Sequence, residues 1–391
     1  MWIANFFISG SLTMVQPFLS LYIATLGNYS DNQVQTWSGL IFSITFVAAF
    51  IFSPIWGKIG DRFGRKAILV AFAFGLGISL FLMGFVTSVI QLFLLRMFMG
   101  IFTGFVSMSH ALIATQTSKR VAGQVLGTLQ TGSITGTLMG PLVGGFLADL
   151  FGYSATFKWL AIVLFITSFL VLFGIKEFQI REEQSPIKYT SRQVLLHILR
   201  HPMLLIIMLM SMIVQIANFS IQPILSLFVG EIHGPNHIAF FSGLAFSVTG
   251  LGNLLTARKW GRIGDQKGYI KILTILLFAT AIIYFPGGFV TELWQLIILR
   301  FCLGLAFGGI IPLRIAYIRQ EAPLSMQGEV LGYNTSLQFL GNMIGPILGG
   351  VISANFGYSA VFISTSLLLL LSGVLMVTAK SRYPKLVPNR H

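Results

Sequence analysis

Cysteine is almost absent from this sequence. Its 391 residues hold one, Cys302, so no internal disulfide can staple the fold. Charge is scarce too: Asp, Glu, Lys and Arg make up 9% of the chain, against roughly 25% in a soluble domain. So little charge cannot cover a water-facing surface, and a soluble globular fold is excluded. Acids are the scarcer sign, 11 against 25 Lys and Arg. No G-x-x-x-x-G-K-[ST] phosphate loop occurs, and no polar stretch could hold a nucleotide-hydrolysing domain. Metal-ligand clusters and nucleophile–base constellations are missing as well, which points away from an enzyme or a sensor and from any cofactor.

What fills the chain is apolar. Hydrophobic residues reach 55% and mean hydropathy is +0.84. Twelve apolar runs follow one another between residues 3 and 379, each near the 20 or so residues that cross a hydrocarbon core of roughly 30 Å. Lipid admits only helices or closed barrels, and runs this long are helices. The predicted fold class is an all-α membrane protein of twelve transmembrane helices. The net charge of +14 invites nucleic acid as a partner, but its placement excludes that. With both termini cytoplasmic, Lys158 lies at an outer loop and Arg96, Arg300 and Arg314 lie within spans. Every other Lys and Arg is then cytoplasmic, as the positive-inside rule requires. The chain is expected in the cytoplasmic membrane, its basic loops against anionic lipid headgroups. Met1-Trp2-Ile3 enters the first run without a basic segment, so no cleavable signal peptide is expected there, and the chain either lacks a short leader or begins at an unusual start.

The chain repeats itself at an offset of 204–206 residues. Gln16-Pro17-Phe18-Leu19-Ser20-Leu21 returns as Gln222-Pro223-Ile224-Leu225-Ser226-Leu227. Gly57-Lys58-Ile59-Gly60-Asp61 returns as Gly261-Arg262-Ile263-Gly264-Asp265. Arg96, Gly100 and Gly104 return as Arg300, Gly304 and Gly308, and Phe151-Gly152-Tyr153 as Phe356-Gly357-Tyr358. Six helices per half bring the chain back to one side, so the halves are parallel repeats about an axis along the membrane normal. The expected organisation is a six-helix bundle over 1–175, a polar cytoplasmic linker over 176–201 and a second bundle over 202–391.

Three motifs carry mechanism. In Gly57-Lys58-Ile59-Gly60-Asp61-Arg62-Phe63-Gly64-Arg65-Lys66 the glycines allow a tight turn and close helix approach. Asp61 can accept from a helix N-terminus or pair with Arg62 or Arg65, latching the halves, with Asp265 a weaker counterpart. The alternative is that these charges only set topology. Arg96 is a costly charge within a span and a functional candidate on that ground; the alternative is a strut held by backbone carbonyls. Gly132, Gly136, Gly140 and Gly144 fall four apart along one helix face, with Pro141 and Gly145 beside them. Small residues at that spacing let helices approach closely. Gly341, Gly345, Gly349 and Pro346 repeat the ridge.

These three stretches closely resemble the signatures of the major facilitator superfamily: G-x-x-x-D-R-x-G-R-K, the arginine of the fourth helix, and the G-x-x-x-G-P-x-x-G-G element of its antiporters. The resemblance covers the whole chain and is nearest to the bacterial twelve-helix drug/proton antiporters. It implies gradient-driven exchange of amphipathic small molecules for protons by a functional monomer, with a cavity-facing Arg96 taking part in proton transfer. Proton-coupled uptake or lipid and metabolite transport on the same fold remains the alternative.

Polar residues at helical spacing mark cavity faces, since an uncharged polar group facing lipid is costly. Gln16 and Tyr22 are candidates in the first span, Gln215, Asn218 and Gln222 in the seventh, and Asn334 and Gln338 in the eleventh, with Phe18 and Met108 as neighbours. None of the acids lies mid-membrane. His110 titrates in the range proton exchange needs, and Arg314 is its repeat partner; each has a structural alternative, a satisfied histidine near a helix end and a snorkelling arginine. With positive charge and no acid, the cavity is expected to favour neutral, zwitterionic or weakly anionic amphiphiles over quaternary cations.

Overall fold

A computed structural model describes residues 1–118, 121–178, 191–323 and 326–382, with the side chains of Asp61, Arg62 and Ser191 outside the description. All regular elements among these residues are helical. In chain order they are α1 (Trp2–Met14), α2 (Gln16–Thr25), α3 (Asp31–Phe63), α4 (Arg65–Met83), α5 (Val89–Ile101), α6 (Phe105–Gln116), α7 (Ala122–Phe151) and α8 (Tyr153–Gly174). There follow α9 (Ser191–Arg200), α10 (Pro202–His233), α11 (Ile238–Lys267), α12 (Tyr269–Tyr284), α13 (Leu293–Glu321) and α14 (Gln327–Arg382). Among the described residues eleven helical segments are long and apolar enough to cross a membrane. The longest, α14, is two helices joined at Gly357, so the twelve expected spans are present.

Local chemistry explains where these helices start and stop. Ser30 caps α3, its hydroxyl accepting from Gln33 N–H while the Gln33 side chain accepts from Ser30 N–H. That reciprocal box satisfies donors that would otherwise face lipid headgroups unpaired. Glu292 and Gln295 build the same box at α13. The first span, Trp2–Thr25, runs through one turn residue, Val15, between α1 and α2: Pro17 has no N–H to continue the α1 ladder, and Phe18 donates to the Val15 carbonyl three residues back. At the α3–α4 and α7–α8 junctions Gly64 and Gly152 take φ of 92° and 79°, and their repeats Gly268 and Gly357 take 89° and 81°. Glycine adopts this half of the map without the cost any Cβ would bring. A further departure falls in the linker, expected as a polar stretch. It holds α9, an amphipathic helix that buries Val194 and Ile198.

By contacts the chain falls into two compact units, Met1–Glu183 with Pro223–Ser247, and Gln184–Gln222 with Val248–His391. The core of the first is aromatic, with Phe18, Phe72, Phe105 and Phe157 fully buried. Phe18 stacks on Tyr153 and meets Phe157 edge-on. The second buries Tyr284, Leu303, Phe362 and Leu369. Large apolar side chains also face outward, among them Phe173, Phe356 and Ile282. In water such a surface would aggregate; lipid is its natural solvent.

Candidate transport site

The glycine ridge of α7 lies against the backbone of α1 in register. A Cβ on Gly132 would meet the carbonyl of Trp2, on Gly136 that of Phe6, on Gly140 that of Gly10, and on Gly144 that of Met14. Four contacts at steps of four residues make a continuous backbone-to-backbone seam. The second unit repeats it, Gly341, Gly345 and Gly349 facing the carbonyls of Met212, Ile216 and Ser220 on α10. Gly145 points the other way, onto Ala239 of α11, where Gly243 in turn meets the carbonyl of Pro141. The Ser247 hydroxyl of α11 accepts from the Leu142 N–H there at 3.2 Å.

At the α3–α4 turn, Gly57 has open space around it and the close approach falls on Gly60, against Ile68 and Met108. The N-terminus of α4 meets an acid, Glu177. Its carboxylate accepts from Arg65 N–H at 2.8 Å and Lys66 N–H at 2.9 Å, capping α4 with charge where the helix dipole favours it. The Arg65 guanidinium donates to the Ala111 carbonyl and to Thr115 Oγ1, tying α4 to α6. The side chains of Asp61 and Arg62 lie outside the described residues. Asp265, the repeat of Asp61, is exposed and accepts from Tyr269 Oη–H at 2.7 Å.

Arg96 is buried on α5. Its guanidinium lies 5.8 Å from the centre of the Phe42 ring, an Nη donates to Met99 Sδ, and Nε has no partner. No carboxylate pairs with it among the described residues. The strut of backbone carbonyls is not what holds this side chain. Gly100 lets α5 approach the Thr45 carbonyl, and Gly304 does the same at Thr249.

The polar stripes divide between core and half-buried positions. Tyr22, expected on a cavity face, is a core residue: it is buried, and its hydroxyl donates to the carbonyls of Met83 and Val86. Phe18 shares that core. Gln16, Gln215, Asn218 and Gln222 are half-buried, and Gln222 Oε1 is unpartnered. His110 Nε2 is likewise without a partner, beside Ser109, which donates to Asn5 Oδ1 at 2.8 Å. In the second unit Arg314 is 2% exposed and donates through Nη2 to Gln338 Oε1 at 3.0 Å, while Gln338 Nε2 donates to the Asn334 carbonyl at 3.3 Å. A snorkelling arginine would reach water, and this one does not. Sequence reasoning missed Glu177, and it missed the pair Trp56 and Trp260, whose indoles donate to the carbonyls of Ile101 and Leu305 at 2.8 Å each. Their offset of 204 residues was the available signal.

Twelve spans in two repeats, with packed glycine seams and buried arginines inside apolar helices, define a polytopic membrane transporter. The sequence profile of the Major Facilitator Superfamily matches residues 1–286 and 207–390. The chain belongs to that superfamily of secondary transporters, which move small molecules and are not enzymes. It is 53% identical over 369 residues, 94% of each chain, to the uncharacterized MFS-type transporter YuxJ of Bacillus subtilis. It is 40% identical over 370 residues to the multidrug resistance protein MdtG of Dickeya zeae, covering 93% of this chain and 90% of that one. In structure it is similar to a bacterial homologue of the human lysosomal transporter Spinster, with a TM-score of 0.82 at 13% identity over 100% of this chain and 97% of that one. That last likeness is one of fold.

Proposed function

We propose that this chain exports amphipathic small molecules across the cytoplasmic membrane in exchange for protons, by alternating access, as a monomer with both termini cytoplasmic. The observation that carries the reading is the α1–α7 seam, in which four glycines meet four backbone carbonyls in register. So smooth an interface limits leakage past the substrate path while helices shift during exchange. The multidrug resistance protein MdtG at 40% identity supports the same substrate class. In this reading Arg96 couples proton movement to transport: it is a buried cation with a free Nε and no carboxylate partner among the described residues, so a change in local charge acts on it directly. Asp61, Arg62 and Arg65 gate the cytoplasmic side, helped by the Glu177 cap.

The test is a susceptibility panel in an efflux-deficient host, followed by accumulation of each responsive compound with and without a protonophore. Export that collapses with the proton gradient, and that Arg96→Gln abolishes while membrane expression is kept, is the expected result. Export indifferent to the protonophore, or accumulation driven inward, overturns the reading.

A further inference from the structure

Among the described residues Arg314 is the largest fully buried side chain, and no carboxylate pairs with it. Charge held away from water without a counter-ion is costly, and proteins retain it where something pairs with it in the working cycle. Its one hydrogen-bond partner among the described residues is Gln338 Oε1, a neutral acceptor, and Nε is left unpaired. Gln338 is itself fixed: its Nε2 donates to the Asn334 carbonyl, so its oxygen must face the guanidinium. Asn334 is buried, and its Oδ1 has no partner. It stands one helical turn before Gln338 in α14. Gln338 is half-exposed and gives the cluster an open edge. The next acid along the chain, Glu321, stands seven residues on in α13, about 10 Å along the axis. All three residues belong to one unit.

We propose that Arg314, Gln338 and Asn334 form a docking subsite for the carboxylate of an amphipathic substrate. The planar guanidinium presents parallel N–H donors that match a carboxylate in two-point contact, and an ammonium group would meet repulsion instead. The proposal rests on the reading that the chain carries amphipathic small molecules, and it adds the charge of their head group.

The experiment uses the purified full chain in detergent and two fluorescent probes, dansylglycine and its neutral amide. The native chain is expected to bind the acid about tenfold or more tightly than the amide. Arg314→Gln is expected to erase that preference. Arg314→Lys, which keeps the buried charge and the fold, narrows it while amide binding and the gel-filtration profile stay unchanged. Equal binding of both probes to the native chain, binding of neither, or a parallel loss of both in Arg314→Lys overturns the subsite. So does displacement of dansylglycine by phosphatidylglycerol at equal concentration, which would assign the same oxyanion chemistry to a lipid headgroup. Carboxylate binding without protonophore-sensitive export would overturn the transport reading and leave the subsite standing.

Discussion

Gly127 and Gly144 stand in one helix and differ in what surrounds them. Nothing lies within 4 Å of a Cβ built on Gly127, whereas one on Gly144 would strike the Met14 carbonyl. Backbone cannot swing aside as a side chain can. Gly144→Leu is therefore expected to lower thermal stability by the equivalent of roughly 1–3 kcal/mol or to block insertion, and Gly127→Leu to leave the melting temperature near native. Thermal scanning of the purified variants checks both. The same distinction settles Tyr22, whose polarity suggested substrate contact but whose hydroxyl is spent on two carbonyls of its own unit. A tyrosine in an apolar run reads alike in either role; only the position of its neighbours separates them.

Charge acts locally at two elements, the N-terminus of α4 and the helix α9. The N-terminus of α4 receives both oxygens of Glu177. Glu177→Ala is expected to cost about 1 kcal/mol, a typical value for a lost N-terminal cap at a half-exposed position, and Glu177→Gln less, since one amide oxygen still accepts. Hydrogen exchange at the first turn of α4 measures it. In α9, His197 packs against His201 with ring centroids 4.6 Å apart. Burial first, and then the neighbouring His201, hold the His197 pKa below its ordinary 6.5. The folded chain thus keeps His197 neutral where an unfolded one would take up a proton. The docked helix is favoured above about pH 6.5 and loosens as pH falls below it. Exchange of the 191–200 amides, corrected for intrinsic rates, is expected to quicken between ~pH 7 and ~pH 5, and His197→Gln to flatten that response.

At the scale of the whole molecule the two repeats make the same device twice. Gly349 meets the Ser220 carbonyl as Gly144 meets that of Met14, and the left-handed glycines of the first half recur in the second. Gly349→Leu is expected to destabilise the chain as much as Gly144→Leu does. A melting temperature near native for one and depressed for the other would show the seams to be unequal. The repeats are not identical throughout: Arg314 stands where the first half has His110, so the carboxylate subsite has no twin.

Hydropathy and period decided the membrane, the helices, their number and the repeat, because lipid leaves a backbone almost no other way to satisfy its polar groups. The glycine ridge was legible for the same reason, as a spacing along one helix. Which helix it met was not, for α1 and α7 are more than a hundred residues apart and any small-residue stripe could have faced another. Nor could spacing tell Gly60 from Gly57, bring Glu177 to the N-terminus of α4, or tell a buried Tyr22 from an open one. Each of those depends on what a neighbouring segment brings within 3 or 4 Å, and that distance is set by packing between elements, where residues distant along the chain first come to share a surface.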